Sequence, residues 1–351
     1  MQLHRSGCRF LILAGILVVS QIAGPTLLRA EKPPVAASRS GAPATVAEAA
    51  KVLDLATFPL PEGAAEPQCR RLACLTYNAQ GKVAEVFALL GKQLIGQRWQ
   101  QLPDAQATGQ VAGGTFARDG FLLAVSVYSV GTPGVVSVAI THLGNVDLEK
   151  LPVPGKARLV FPGPASVAFL TDMPAEKATL ECRKLLLAQG WQPYGTAGDT
   201  LVLKQNAVRL TARIVAATGQ GGKTMVSYSA ALMSADLPAP ADAKGVQYNE
   251  LTTELGFDTK AAPRQIIDFY RQTLGKAGWE ATTDRPLKDD DKQMLLLRNP
   301  SHDLLTLELY EVDDQTRVRV KHQTAAEIAE LERQLEDKAK DNAKSKAKPD
   351  G

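Results

Sequence analysis

The chain has 351 residues, 45% of them apolar and 5% aromatic, with 40 lysines and arginines against 37 acids. That length supports two or three domains with cores of their own. The slight positive balance excludes the basic footprint of a nucleic-acid binder.

The first 30 residues are expected to be a secretory signal peptide. Arg5 and Arg9 form a basic start, Phe10 to Val19 an apolar stretch, and Ala30 ends a cleavage region. The apolar run through Ala23 is too short for the roughly 20 residues of a spanning helix. Retention of the segment as an N-terminal inner-membrane anchor stays open beside cleavage and release to the periplasm or medium. Cys8 precedes the apolar stretch, which is not where a lipoprotein cysteine stands. With Arg5, Arg9 and Arg29 removed, 37 basic residues face 37 acidic ones. The mature chain is therefore predicted to have no electrostatic pull toward an anionic membrane, and a membrane contact is expected only through an uncleaved leader.

Residues 31–53 read as a Pro/Ala/Ser linker followed by a short helix, opened by the capping box Thr45-x-x-Glu48. From Asp54 a unit of about 90 residues occurs three times, at 54–146, 147–235 and 236–323. The opening phrases are DLATFPLPEGA, DLEKLPVPGKA and DLPAPADAKG, and the distances from their Asp to a later tryptophan are 45, 44 and 43 residues. In each unit a short extended segment precedes an amphipathic helix. The helix ends at Trp99, Trp191 or Trp279, after Arg98, Gly190 or Gly278. Alternating segments then read as hairpins. The predicted fold is α+β, three tandem β-α-β-β-β modules, each with one helix on an antiparallel sheet and its tryptophan as a core anchor. Residues 324–351 are expected to be a charged helix that becomes a disordered lysine-rich tail after Lys338.

Motifs that carry chemistry are few. Ala217 to Thr224 (ATGQGGKT) matches a relaxed phosphate-loop pattern, but an alternating strand follows it where a helix is required. A hairpin turn is expected there. His142 and His322 are repeat counterparts at the ends of the last strands and read as surface residues, without zinc spacing. Asp289, Asp290 and Asp291 are consecutive, which suits a solvated loop better than a calcium loop. No nucleophile elbow occurs, so no catalytic, cofactor or metal residue is assigned. Cys69 and Cys74 lie close enough to form a disulfide across a turn. Cys182 falls on the apolar helix face, opposite Leu90 and Tyr270 in the other copies.

One copy differs in a way that points to an interface. The outward face of the third hairpin carries Thr306, Glu308 and Tyr310 opposite Arg317, Arg319 and Lys321, whereas the first carries Ala124, Ser126, Tyr128, Ser137, Ala139 and Thr141. Such an uncharged face is expected to be covered by the second module, by another subunit or by a ligand.

The order Asp-Leu-x-x-Leu-Pro-x-Pro, Thr, helix-opening Pro and Gly-Trp resembles a recurrent module of exported bacterial proteins of the planctomycete type, a family of unknown function. It rests on Asp147, Leu148, Pro152, Pro154, Thr171, Pro174, Gly190 and Trp191, and on Asp236, Leu237, Pro238, Thr259, Pro263, Phe269, Tyr270, Gly278 and Trp279. The first copy departs from it at Arg98 and at its missing proline. The resemblance implies an exported protein and brings no catalytic residue. The expectation is a non-catalytic binding or structural protein of the cell envelope, its partner another envelope protein or subunit. The alternative is a hydrolase with a site at a junction between modules.

Overall fold

The computed structural model describes residues 42–289 and 292–346. The leader, most of the linker, Asp290, Asp291 and the last five residues lie outside that range. After helix α1 (Val46–Val52), module 1 consists of β1 (Cys69–Arg70), β2 (Cys74–Gln80), α2 (Val83–Gly96), β3 (Gln100–Gln101), β4 (Gln106–Ala107), β5 (Val111–Arg118), β6 (Phe121–Ser129) and β7 (Val135–Gly144). Module 2 follows with β8 (Arg158–Pro162), β9 (Ser166–Thr171), α3 (Ala175–Ala188), β10 (Gln192–Ala197), β11 (Thr200–Gln205), β12 (Val208–Ala217) and β13 (Lys223–Leu232). Module 3 has β14 (Lys244–Asn249), β15 (Glu254–Thr259), α4 (Pro263–Gly275), β16 (Glu280–Ala281), β17 (Leu287–Asp289), β18 (Lys292–Arg298), β19 (Leu304–Val312) and β20 (Gln315–Gln323). The tail is α5 (Ala325–Lys346), which continues past Lys338, where a polar tail was expected.

The three sheets share one topology. Their strand orders are β1-β2-β7-β6-β5-β3, β10-β11-β12-β13-β9-β8 (the same path read in reverse) and β14-β15-β20-β19-β18-β16. In each, a hairpin leads into the helix, and the strands after the helix form a meander whose last member returns to pair with the strand before it. The fold is thus α+β with three antiparallel sheets. Each module is larger than the expected β-α-β-β-β unit. An edge strand precedes the helix-linked one, and a strand at the opposite edge begins the meander, two residues long in modules 1 and 3 and six in module 2. These additions carry little alternation: β1 and β3 have two residues each, and β8 ends in Pro162.

Helices α2, α3 and α4 end in the same way. The tryptophan amide donates to the leucine carbonyl five residues earlier: Trp99 to Leu94 at 3.0 Å, Trp191 to Leu186 at 3.2 Å and Trp279 to Leu274 at 3.1 Å. The residue before each tryptophan is left-handed, with φ of 68° at Arg98, 89° at Gly190 and 82° at Gly278. This is a Schellman cap, so the departure at Arg98 does not alter the first helix end.

The repeated opening phrase also has a physical reason. Its leucine is buried in all three modules, at Leu55, Leu148 and Leu237. The carbonyl of its first proline accepts a side-chain hydrogen bond each time: Pro59 from Gln93 Nε2 at 2.9 Å, Pro152 from Tyr228 OH at 2.7 Å and Pro238 from Tyr270 OH at 2.7 Å. The phrase therefore closes each core like a strap, apolar at one residue and tied by a carbonyl a few residues later.

The modules are not independent beads. One apolar core runs through modules 1 and 2, and a second fills module 3 together with Tyr194 and Met233 from module 2. Residues 42–53 are packed between the first two modules more tightly than a linker. Ala44 and Ala49 are buried, Ala44 O accepts from Ala207 N at 3.0 Å, and Arg118 Nη2 donates to Val52 O at 2.6 Å. The Thr45–Glu48 capping box forms as expected. Between modules 2 and 3, Gly195 brings β10 against β14. A Cβ there would lie 2.7 Å from the Val246 carbonyl oxygen.

Candidate functional site

The hairpin turns at the strand ends of modules 1 and 3 converge on the segment that leaves module 2. Ala73 N, in the β1–β2 turn, donates to Ser234 Oγ at 2.9 Å. Ser234 Oγ donates in turn to a Glu250 carboxylate oxygen, while Ser234 N donates to the other at 3.2 Å. Tyr248 OH accepts from Ala235 N at 3.3 Å. Arg71 closes the group from the module 1 side. Its Nε donates to Leu251 O at 2.9 Å, and its guanidinium pairs with Glu327 in the first turn of α5. Thr324 caps that helix, and Asp303 Oδ1 accepts from Ala325 N at 2.9 Å.

Burial raises the Glu250 carboxyl above its usual range, against the opposing pull of its bonds to Ser234 and Tyr248 and of Arg209. Cys69 and Cys74 adjoin this group. Both are free thiols, and the neighbouring Cys74, burial and Glu250 push the Cys69 thiol up. Chemically, a serine beside a buried carboxylate suggests a hydroxyl and its base. Here Ser234 Oγ already accepts one bond and donates another, both between modules, which is the behaviour of a lock.

The uncharged face of module 1 is closed at one row and open at the other. Ser137 is buried, Ala124, Ala139 and Thr141 are half-buried, and Ser126 and Tyr128 are exposed. Tyr128 lies directly opposite Val111 and Ser137. Val111, Tyr128 and Val130 are 52%, 42% and 41% exposed, an apolar group at the strand ends. The charged counterpart on module 3 pairs as its sequence suggests, Glu308 opposite Arg319 and Tyr310 opposite Arg317.

His142 and His322 are not surface residues. His142 is fully buried, its Nδ1 accepting from Gly144 N at 3.2 Å and its ring edge-on to Phe121. Desolvation lowers its pKa to about 4. His322 is largely buried beside Asp303 and against Trp279. Burial lowers its pKa also, with Asp303 opposing. Both lie on the apolar parity of their strands, with Val138 and Ile140 in one case and Val318 and Val320 in the other. That parity was the available signal. Cys182 is a core residue whose sulfur lies 3.1 Å from Tyr228 OH. The ATGQGGKT segment is the β12–β13 turn, with Gly221 and Gly222 left-handed and Lys223 paired to Asp172 at 3.0 Å. Among the described residues no cluster of three or more His, Cys, Asp or Glu could hold a metal, and no helix is long and apolar enough to cross a membrane.

The tryptophans divide. Trp99 and Trp191 are buried in the joint core. Trp279 is half-buried and lines an open groove of about 330 Å³ with Arg271, Glu280, Thr283, Asp284 and Leu297. This groove was not foreseen, because the sequence presents all three tryptophans as equivalent.

Fold and junction define a class: an α+β protein of three tandem helix-on-sheet modules joined through a partly buried polar lock. No protein-family model matches the chain, and no curated protein or solved structure does either.

Proposed function

We propose that this is an exported, non-catalytic binding or structural protein of the bacterial cell envelope, built as a β-α-β-β-β-type unit used three times. The resemblance to exported planctomycete-type modules and the leader-like first 30 residues support export. The open end of the uncharged face supports binding: Val111, Tyr128 and Val130 expose apolar surface, and β6 and β7 carry no Asp, Glu, Lys or Arg. Another envelope protein or a second subunit is the partner such a surface fits. In an oxidising compartment Cys69 and Cys74 would join, leaving Cys182 as the free thiol of the mature chain.

The test is expression of the full-length chain in a Gram-negative host, followed by fractionation, maleimide labelling of denatured protein and photo-crosslinking from position 128. A periplasmic product with Cys182 as its labelled thiol and a discrete crosslinked partner supports the reading. A cytoplasmic product with all its thiols labelled, or crosslinking no stronger than from an exposed position such as Glu62, opposes it. The Ser234–Glu250 contact favours a second reading, a hydrolase with its site at the junction. A screen with chromogenic esters, amides and glycosides decides between them. Turnover that disappears in both Ser234→Ala and Glu250→Gln would establish the enzyme.

A further inference from the structure

We infer that the groove beside Trp279 is a binding site for a neutral saccharide, present in module 3 and absent from modules 1 and 2. The inference stands independently of the export and partner readings.

The copies differ around their tryptophans. After Trp191 the chain enters β10, six residues paired along β11. After Trp279 it enters β16, only two residues long, then leaves the sheet until β17 begins at Leu287. β3 after Trp99 is just as short, but there Arg118 lies over the indole at 5.4 Å and Trp99 is buried, as is Trp191, whereas Trp279 stays half-buried. Arg271 on α4 pins the excursion, its Nη2 donating to Thr283 O at 3.3 Å and to Asp284 O at 2.8 Å. Its Nε–H is buried and has no hydrogen-bond partner among the described residues.

The lining sets the class of ligand. Leu297 forms a buried floor, Trp279 contributes part of an indole, and Glu280 and Asp284 bring exposed carboxylates. Carboxylates accept hydrogen bonds and the guanidinium donates them. The two acids disfavour an anion and the arginine disfavours a cation, so a neutral ring with several hydroxyls fits best. A pyranose offers a C–H face to the indole and hydroxyls to the acids and to Arg271. The volume is at the lower end of the roughly 300–1,000 Å³ of ligand sites, which suits one or two sugar rings in an open groove and not an engulfed ligand.

The experiment uses the full chain with chitotriose, cellotriose and maltotriose as probes and tetramethylammonium chloride as the cationic control. Binding is read by saturation-transfer NMR and by intrinsic fluorescence. The expected result is saturable binding of at least one trisaccharide, about tenfold weaker in Trp279→Ala and in Asp284→Asn. Asp284 is exposed, so its variant keeps the test valid if Trp279→Ala does not fold. Three outcomes overturn the proposal: no saturable binding of any trisaccharide, binding unchanged in Asp284→Asn, or binding of tetramethylammonium alone.

Discussion

Arg98 shows how much a backbone position can impose on a side chain. It occupies the left-handed cap position filled by glycine in the other two modules, and the cap hydrogen bonds form around it all the same. A non-glycine residue there costs about 1–2 kcal/mol of backbone strain, partly offset by the greater unfolded-state freedom of glycine. Arg98→Gly is therefore expected to stabilise the protein by about 1 kcal/mol, seen as a higher urea midpoint with unchanged slope; a lower midpoint would refute the strain. His142 gives a prediction of opposite sense. Its folded pKa of about 4 lies below the ordinary 6.5, so the unfolded chain takes up the proton first as pH falls. The stability it allows is complete above pH 6.5 and is lost toward pH 4, by about 3 kcal/mol for a shift of this size. His322 adds to the loss in the same direction. In His142→Leu the decline in stability between pH 6.5 and 4 should shrink by about that amount. An identical pH profile would show that His142 does not remain neutral in the fold.

At the scale of the element, helix and sheet share out volume differently in each module. The central helix position is Leu90, Cys182 or Tyr270, and the strand position that returns beneath it is Ile140, Tyr228 or Val320. Modules 2 and 3 are thus mirror solutions: a small helix residue with a tyrosine on the strand, or a tyrosine on the helix with a small strand residue. In both, the tyrosine hydroxyl reaches the carbonyl of the strap proline. Cys182→Tyr alone should overpack the core and cost about 1–3 kcal/mol. Tyr228→Val alone should leave a cavity and an unmet Pro152 carbonyl. The double variant should regain about 2 kcal/mol of the summed loss, measured in a double-mutant cycle, and simple additivity would break the equivalence. The helices, the Gly-Trp ends and the long hairpins were legible in the sequence because periodicity and caps are local. The exchange between Cys182 and Tyr228 was only half legible, since their contact spans 46 residues and nothing local marks it. The edge strands β8 and β14 were not legible either, because one pairing partner is enough to hold an edge without an alternating pattern.

For the whole molecule the decisive fact is how unequally the modules are joined. Sequence alone suggested three tandem units that meet near residues 147 and 236. The Ser234–Glu250 lock was out of reach because its groups come from three modules and the copies share no residue pattern there. With a joint apolar core, modules 1 and 2 should unfold together, whereas module 3 holds its own core and meets the others through Tyr194, Met233 and the polar lock. Limited proteolysis should therefore cut first at the exposed Ala241–Asp242 turn and leave a stable fragment ending near residue 240. The Glu250 carboxyl sets the pH dependence of that cut. Its folded pKa is raised, so the protonated form is the one the fold favours. The junction is tightest at or below pH 4.5 and loosens as pH rises through the folded pKa. Cleavage at the turn should accelerate over that range in the wild type after correction for protease activity. In Glu250→Gln, which keeps an acceptor for Ser234 but cannot ionise, the acceleration should disappear. A stable fragment ending near residue 147, or equal pH dependence in both proteins, would mean that the modules are joined by something other than this lock.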